Sequence, residues 1–504
     1  MLETYSNYLT THKSKVLLRL NACFLFLLLL FVAYAFYKHR YFIVEEDEGI
    51  YYNNARLFSE TGSVKAFDCI DENVSKVGGT NWYGPMYHIL HGGITKIVGV
   101  HNYNFLVFNL LCLAGMFLLV YKSGFTYNTK LLLYLSFFAA FPYAYYLFSY
   151  YPVTLDLLFG LALALLLKKI HDSKHSGKQV NRTKALFICL ILFFSLFRVS
   201  TVFWVFGLLP FTKTRKGFAL TALLGVACLM SVLIFIRLFN ASYHIVLFPL
   251  LLSNPFSPST AMLLFHTALN SMHWYFTQTP IVYAEYLFLL GIAIASLFFI
   301  KNKLVQSACL ISIIYLLVLI PVYTFQHVFL DKLTAPLYPL LLVAIFYIGS
   351  SVTKKAALAI LLVLSPIVYA ETFDQIQNHR WGYLENVRLA PAIKQFSELK
   401  NKIEGNKPVT VECLYKEYED TIPYFLFMAN LPASTNSSYP ITYSNHFADT
   451  SWARISYSAR FKEYGRLHID YILARRPLSL DSISLIDKTD LLYLYKNTKT
   501  TPRL

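Results

Sequence analysis

Charged side chains are scarce in this chain of 504 residues: 14% are Asp, Glu, Lys or Arg, whereas 56% are hydrophobic. Soluble globular proteins carry roughly 25% charged residues, so this scarcity excludes an ordinary water-soluble enzyme. No collagen-like, coiled-coil or low-complexity composition is present either. Long apolar runs separated by basic clusters dominate the first three quarters of the sequence. The composition therefore predicts a polytopic membrane protein.

Cysteines are few and are not arranged as metal ligands. None of the seven forms a CxxC pair, and five lie in apolar segments, where a small buried side chain is expected. Only Cys69 and Cys413 fall in polar regions. A disulfide between these two is left open.

Acidic residues are also few, with 28 Asp and Glu against 44 Lys and Arg and a net charge of +16. Such an excess could indicate nucleic-acid binding. In a membrane protein, however, Lys and Arg accumulate in cytoplasmic loops and determine topology. The densest basic stretch, residues 168–184, lies between two apolar segments, so we expect no nucleic-acid partner.

Apolar segments of sufficient length to cross a bilayer, roughly 20 residues, recur along residues 1–370. The first, 16–37, follows Lys13 and Lys15, which predicts a cytoplasmic N-terminus and an uncleaved first span. A long outer loop, 38–101, comes next. Including two short helices within 185–211, about 11 spans are predicted. The others cover 103–121, 131–148, 153–167, 218–239, 281–300, 304–323, 337–350 and 356–370.

Arg198 decides how segment 185–211 is interpreted. A single span would bury this arginine at mid-membrane, at a cost of several kcal/mol. Two short helices that turn near Arg198 would instead place it at the outer surface and return Lys213, Arg215 and Lys216 to the cytoplasm. We therefore predict the pair of helices.

The composition changes at about residue 371, where charged residues become frequent. Short β-like runs at 409–413, 469–473 and 491–495 follow a helical run at 392–402. Residues 371–504 are thus predicted to form a small extracytoplasmic α+β domain, large enough to hold its own core.

Polar residues that could carry chemistry cluster at the outer ends of the predicted spans. The acidic run 45–48 precedes a helical segment, where it could also serve only as an N-terminal cap. Asp156 lies just inside an apolar span, which makes it a functional candidate unless it stays at the water interface. The remaining outer candidates are cations and aromatic or polar residues: Lys76, Trp82, Tyr83, Tyr87, His88, Arg198, His327, Asp331 and Lys332.

The order of these residues carries more information than each one alone. Asp47-Glu48-Gly-Ile-Tyr51 follows the first span, and Trp82-Tyr83-Gly-Pro-Met-Tyr87-His88 leads into the second. Over residues 1–370 the chain resembles the GT-C glycosyltransferases that use polyprenyl-phosphate-linked sugars, in particular the group of protein O-mannosyltransferases and lipid A aminoarabinose transferases. Two departures are Lys332-Leu333 in place of Arg-Tyr and Gly84-Pro85 in place of Pro-Pro.

The resemblance implies an α-helical GT-C membrane enzyme that transfers a sugar, with inversion, from a polyprenyl-phosphate donor to a lipid, glycan or protein acceptor outside the cytoplasm. It implies Asp47 as the base, Glu48 as a modifier of its field, and Asp156 as a ligand of the acceptor or, with Asp47, of a divalent metal ion. Donor phosphate would contact Arg198, Lys332 and Lys76. The substrate pocket would include Tyr51, Trp82, Tyr83, Tyr87, His88 and His327.

A multi-span transporter or flippase for a lipid-linked or small polar substrate is the alternative. Transporters place ionisable residues at mid-membrane on broken helices and show symmetry between their halves. Here the acids and bases gather at the outer ends of spans, and no internal repeat is visible. This distribution favours the transferase.

Overall fold

The computed structural model describes a large part of the helical region and five strands near the C-terminus. The described residues are 51, 54–55, 58–59, 62, 64, 86–99, 104–140, 143, 146–149, 151–173, 177–212, 214–238, 257–262, 265–266, 269, 280–299, 302–322, 334–348, 351–374, 399, 402, 410–415, 442–447, 471–474, 477, 483–489 and 493–498.

The helices follow the apolar segments closely. In chain order they are α1 (Met86–Val98), α2 (Asn104–Lys122), α3 (Tyr127–Ala139), a short 3₁₀ turn (Tyr146–Phe148), α4 (Val153–Asp172), α5 (Gly177–Ser195), a long 3₁₀ helix (Val199–Phe211), α6 (Arg215–Leu238), α7 (Pro280–Phe299), α8 (Lys303–Val322), α9 (Leu337–Ile348) and α10 (Ser351–Asp374). Most begin or end within a few residues of the predicted spans. The predicted span 131–148 is the main exception, because α3 ends at Ala139.

The exposed surface of α6 is apolar, which is the opposite of what a soluble protein shows. Phe218, Leu220, Leu223 and Val226 are each more than half exposed, although they are large and apolar. A soluble monomer rarely exposes such a contiguous patch, whereas a lipid-facing helix requires one. Within the described residues, two segments, Asn104–Lys122 and Arg215–Val232, are long and apolar enough to cross a membrane. The number of spans and the orientation of the N-terminus stay predictions.

A helical segment also precedes α1. Residues 51, 54, 55, 58 and 59 are helical, and Gly62 ends the segment with a φ of +69° and an N–H bond to the Phe58 carbonyl (2.8 Å). Glycine adopts this left-handed backbone without strain. Gly92 of α1 then lets the two helices approach, since a Cβ there would lie 2.6 Å from the Ala55 carbonyl oxygen.

The break predicted at Arg198 is present. Helix α5 ends at Ser195, Arg198 has an extended backbone (φ −143°, ψ 109°), and the second segment starts at Val199. This second segment is a 3₁₀ helix rather than an α-helix, and it contains Pro210, which has no N–H to donate. The Ser307 hydroxyl of α8 donates to the Gly207 carbonyl (2.7 Å) and so ties the segment to the bundle.

Helix α4 lies at the centre of the bundle and packs against α2, α5 and α9. It approaches the backbone before α9 closely at Gly160, where an added Cβ would lie 2.1 Å from the Pro336 carbonyl oxygen. Only a residue without a side chain allows this contact. The approach therefore fixes the position of α4 against the start of α9.

The C-terminal region contains a mixed five-stranded sheet in the order β2-β1-β3-β5-β4. Its strands are β1 (Thr410–Tyr415), β2 (Thr442–Phe447), β3 (Tyr471–Ala474), β4 (Ile483–Lys488) and β5 (Tyr493–Asn497). Strand β1 is parallel to β2 and β3, while β5 is antiparallel to β3 and β4. The sequence predicted β1, β3 and β5. Both missed strands lie at the sheet edges. Strand β2 is largely polar, whereas β4 is half apolar but ends in Asp487-Lys488. The predicted helix at 392–402 lies almost wholly outside the described residues.

Candidate functional site

The turn that leads into α4 is held by one buried side chain. The Asn109 amide of α2 donates to the carbonyl oxygens of Tyr146 (3.2 Å), Leu147 (3.0 Å) and Ser149 (2.9 Å). Within the turn, the Tyr151 N–H donates to the Ser149 hydroxyl (3.0 Å). This bonding fixes where α4 begins and hence where Asp156, in its first turn, is placed.

Both carboxylate oxygens of Asp156 are engaged. The Tyr87 hydroxyl donates to Oδ1 at 3.0 Å, and Nη2 of Arg198 lies 2.6 Å from Oδ2. The side chains of Asp156 and Arg198 are only 3% and 10% exposed. At this distance the opposite charges of Asp156 and Arg198 form a close ion pair. Three segments distant in sequence, α1, α4 and the start of the 3₁₀ helix, thus meet at one buried ion pair.

Burial and neighbouring charges act in opposite directions on Arg198. Burial lowers the pKa of its guanidinium, but the Asp156 carboxylate outweighs burial and raises the pKa well above its ordinary value. Burial, followed by the charge of Asp156, raises the pKa of Tyr87 well above its usual range. Arg198 therefore stays charged, and Tyr87 keeps the proton that it donates.

Aromatic rings surround the ion pair. Tyr51 makes edge contacts with Tyr87 (centroids 6.0 Å apart) and Tyr151 (6.1 Å), and Tyr87 makes one with Phe197 (5.3 Å). Tyr51 and Tyr87 are at most 2% exposed. Such rings lower the local dielectric and strengthen electrostatic interactions at the pair.

Two buried histidines follow Tyr87 on the same face of α1. Burial, with a smaller contribution from His91, lowers the pKa of His88 to about 3, and burial lowers the pKa of His91 to about 4. The His91 ring packs against Phe108 (4.1 Å between centroids). Neither nitrogen of His88 has a hydrogen-bond partner among the described residues. Both rings are neutral at pH 7.

The structure brings together four of the predicted site residues, Tyr51, Tyr87, Asp156 and Arg198, and places His88 beside them in sequence. The other predicted residues lie outside the described ones. They are Asp47, Glu48, Lys76, Trp82, Tyr83, His327 and Lys332, together with Asp331.

Two features of the described bundle were not singled out from the sequence. Asn109 holds the turn before Asp156, and no sequence signal marks it. Glu285 of α7 is completely buried and lies within electrostatic range of Tyr143. An acidic residue inside the predicted span 281–300 was the signal that could have drawn attention to Glu285.

A metal site is not formed by the described residues, which include no group of three or more His, Cys, Asp and Glu side chains suited to a metal ion. Asp156 itself does not fit a divalent cation as it stands, because a guanidinium already occupies one oxygen and a tyrosine hydroxyl the other.

No family model and no curated protein matches the sequence. Solved structures do match. ArnT from Cupriavidus metallidurans in the apo state has a TM-score of 0.54 at 11% identity, over 94% of this chain and 97% of that one. The structure of ArnT from Cupriavidus metallidurans bound to undecaprenyl phosphate has a TM-score of 0.52 at 12% identity, over 93% of this chain and 97% of that one. The chain has the fold of ArnT. The coarser part of the predicted fold, a mostly helical protein with a small strand-containing region, is therefore confirmed.

Proposed function

We propose that this protein is a membrane glycosyltransferase that moves a sugar from a polyprenyl-phosphate donor to an acceptor on the extracytoplasmic side. The observation that carries the proposal is the buried Asp156–Arg198 pair, ringed by tyrosines, at the start of α4. It occurs in a chain with the fold of ArnT, one structure of which binds undecaprenyl phosphate. A buried cation at this position suits a lipid phosphate.

The reaction would be one displacement at the anomeric carbon. The acceptor oxygen bonds to that carbon while its bond to the phosphate oxygen breaks, through an oxocarbenium-like state, with inversion. Phosphate is already an adequate leaving group, so it needs no general acid. The protein must supply a base for the acceptor proton and cations for the departing phosphate.

Arg198 is the proposed cation at the centre of the phosphate site. It is buried and stays charged, so its interaction with an anion is only weakly screened by water. Lys332 and Lys76 are proposed to contribute further positive charge.

Asp47 is the proposed base, and Glu48 is proposed to modify its field. Both precede the helical segment that contains Tyr51, and Tyr51 contacts Tyr87 at the ion pair. Tyr51 and Tyr87, with His88, Trp82, Tyr83 and His327, are proposed to line the substrate pocket.

The first test is transfer from a radiolabelled polyprenyl-phosphate sugar by the purified full-length protein. Asp47→Asn should abolish transfer because the amide cannot accept the proton, while expression and behaviour in detergent stay normal. Asp172→Asn, at the opposite end of α4, is the matched control and should retain activity. Undiminished turnover by Asp47→Asn would remove Asp47 from this role.

Donor sugar and acceptor can be identified together. Membrane extracts from cells with and without the gene should differ by one missing glycan modification. A panel of polyprenyl-phosphate sugars then identifies the donor. If no donor in the panel supports transfer and the extracts are identical, the proposed function is wrong.

A further inference from the structure

The bonding of Asp156 bears on what this residue does at the proposed site. Its Oδ1 accepts from Tyr87 and its Oδ2 pairs with Arg198, and the side chain is almost fully buried. A carboxylate that serves as a base, an acceptor ligand or a metal ligand needs an oxygen that can face the substrate or ion. Both oxygens of Asp156 are directed at the protein itself.

Arg198, by contrast, is only partly satisfied. Its Nη2 pairs with Asp156, but its Nε–H is buried and has no hydrogen-bond partner among the described residues. A buried donor without an acceptor is costly, and a charged one more so. Phosphate oxygens are strong acceptors and pair well with guanidinium groups.

We infer that Asp156 is a positioning residue, which acts by holding the Arg198 guanidinium so that its free Nε–H donates to the phosphate of the lipid donor. Tyr87 fixes Asp156, and Asp156 fixes Arg198. This inference rests on the proposed function and deepens it, because it assigns Asp156 to the donor phosphate and not to the acceptor or a metal ion.

A positioning role has a distinctive thermodynamic consequence. If Asp156 acts only through Arg198, replacing Asp156 should have no effect on phosphate binding once Arg198 is gone. Groups that act independently give additive effects, whereas groups that act as a unit do not. The sign of the single effect is also informative: simple charge repulsion between Asp156 and phosphate would make its removal tighten binding.

The experiment titrates the full-length protein in detergent with undecaprenyl phosphate, which carries no sugar, and measures Kd. Arg198→Ala should raise Kd at least about tenfold, as expected for loss of a charge-assisted bond. Asp156→Asn should raise it by about three- to tenfold. The double variant should bind no more weakly than Arg198→Ala alone.

A less disruptive pair of variants controls for misfolding caused by replacing Asp156 or Arg198. Tyr87→Phe removes only the hydroxyl that fixes Asp156 and should raise Kd by about two- to threefold. This effect should vanish in the Arg198→Ala background. Tyr134→Phe is the matched control, because Tyr134 is equally buried and its hydroxyl donates to the Phe117 carbonyl at 3.1 Å, away from the ion pair. Its Kd should match the wild type.

The outcomes separate the two proposals. Tighter binding by Asp156→Asn, or additive effects in the double variant, would overturn the positioning role and leave the proposed function standing. Failure of the wild type to bind undecaprenyl phosphate or any other polyprenyl phosphate would overturn the proposed function and, with it, this inference.

Discussion

The two ends of helix α4 carry the same kind of ion pair in opposite surroundings. At the N-terminal end, Asp156 and Arg198 are 3% and 10% exposed and come from different segments. At the C-terminal end, Lys168 and Asp172 are one helical turn apart, 2.6 Å from each other, and 11% and 34% exposed. The two distances are equal, but the two ion pairs contribute differently to stability. A buried pair depends on both partners, whereas a partly exposed i,i+4 pair contributes little.

The C-terminal pair also belongs to a network that anchors the helix end. Asp172 accepts from the Tyr347 hydroxyl (2.8 Å) and contacts His171 (3.1 Å), while Lys168 lies over the rings of Phe125 (5.0 Å) and Tyr347 (4.6 Å). The contacts with Tyr347 and Phe125 tie α4 to its neighbours, those with Lys168 and His171 lie within α4, and the side chain of Asp172 retains access to water. The network gives this end of α4 a structural role, in contrast to the binding role that we propose for the other end.

The largest expected effect comes from removing one partner of the buried pair. Asp156→Ala leaves Arg198 buried without its carboxylate and should lower the free energy of unfolding by about 3 to 5 kcal/mol. Chemical denaturation in detergent measures this change.

Replacing both partners is the control. Asp156→Leu with Arg198→Met should recover most of the lost stability, since apolar residues of similar size tolerate such a site. Binding of undecaprenyl phosphate should not return. A single replacement that cost less than about 1 kcal/mol, as at an exposed pair, would erase the contrast between the two ends.

The second-largest effect is expected at Gly160, which lies on α4 one turn beyond Asp156. Gly160→Ala forces a Cβ against the Pro336 backbone and should cost about 3 kcal/mol, the upper end of overpacking effects. It should also weaken donor binding, because α4 must shift. Gly291→Ala on α7 is the control: nothing lies within 4 Å of its Cβ, so stability should stay the same or rise by up to about 1 kcal/mol, because alanine favours a helix over glycine. Equal midpoints of thermal unfolding for the two variants would contradict the close packing.

The third-largest effect is a dependence of stability on pH through His88 of α1. The pKa of His88 is lowered to about 3 in the folded protein, against 6.5 unfolded, so the unfolded state takes up more protons below pH 6.5. Stability is therefore full above pH 6.5 and falls progressively toward pH 3, by about 2 kcal/mol for this residue at pH 5. His88→Gln should reduce the drop in unfolding free energy between pH 7.5 and pH 5 by that amount. An unchanged drop would show that His88 is not buried as a neutral ring.

The smallest effect is expected at the C-terminal pair. Lys168→Met should lower the free energy of unfolding by about 0.5 kcal/mol or less, the range of exposed i,i+4 pairs, and leave sugar transfer unchanged. Burial raises the pKa of Asp172, but hydrogen bonds from Lys168, His171 and Tyr347 outweigh it, so the pKa is lowered. The stability that Asp172 contributes is thus present above the ordinary pKa of an aspartate. It is lost only as the pH falls through the lowered pKa of Asp172. A loss of transfer in Lys168→Met would mean that both ends serve the reaction.

Much of the helical architecture was predictable because apolar length is a direct requirement of the bilayer. The boundaries of α2, α4, α6, α7 and α8 lie within a few residues of the predicted ones, except for the C-terminal end of α4, which extends to Asp172. The break at Arg198 was predictable from the cost of a charge at mid-membrane. The 3₁₀ form of the following segment was not, because it depends on contacts with α8 such as the bond from Ser307 to Gly207.

Asp156 and Arg198 were both recognisable as candidates from their positions at the outer ends of apolar segments. Their pairing was not, nor was the bond from Tyr87, because the residues are separated by 42 and 69 positions. Asn109 gave no signal at all, since an asparagine in an apolar helix acquires its role only from the carbonyl groups that the turn before α4 presents to it.

The amino-acid sequence by itself determined that this protein is built mainly from apolar helices, and it predicted that most candidate polar residues lie at the ends of the apolar segments, because burial of charge in hydrocarbon is costly. Only the tertiary structure decided which of those residues share a site. Gly92 sets the approach of α1 to the helical segment before it, and Gly160 sets the approach of α4 to the start of α9. The low dielectric of the interior then strengthens the pairing of Asp156 with Arg198 and Tyr87.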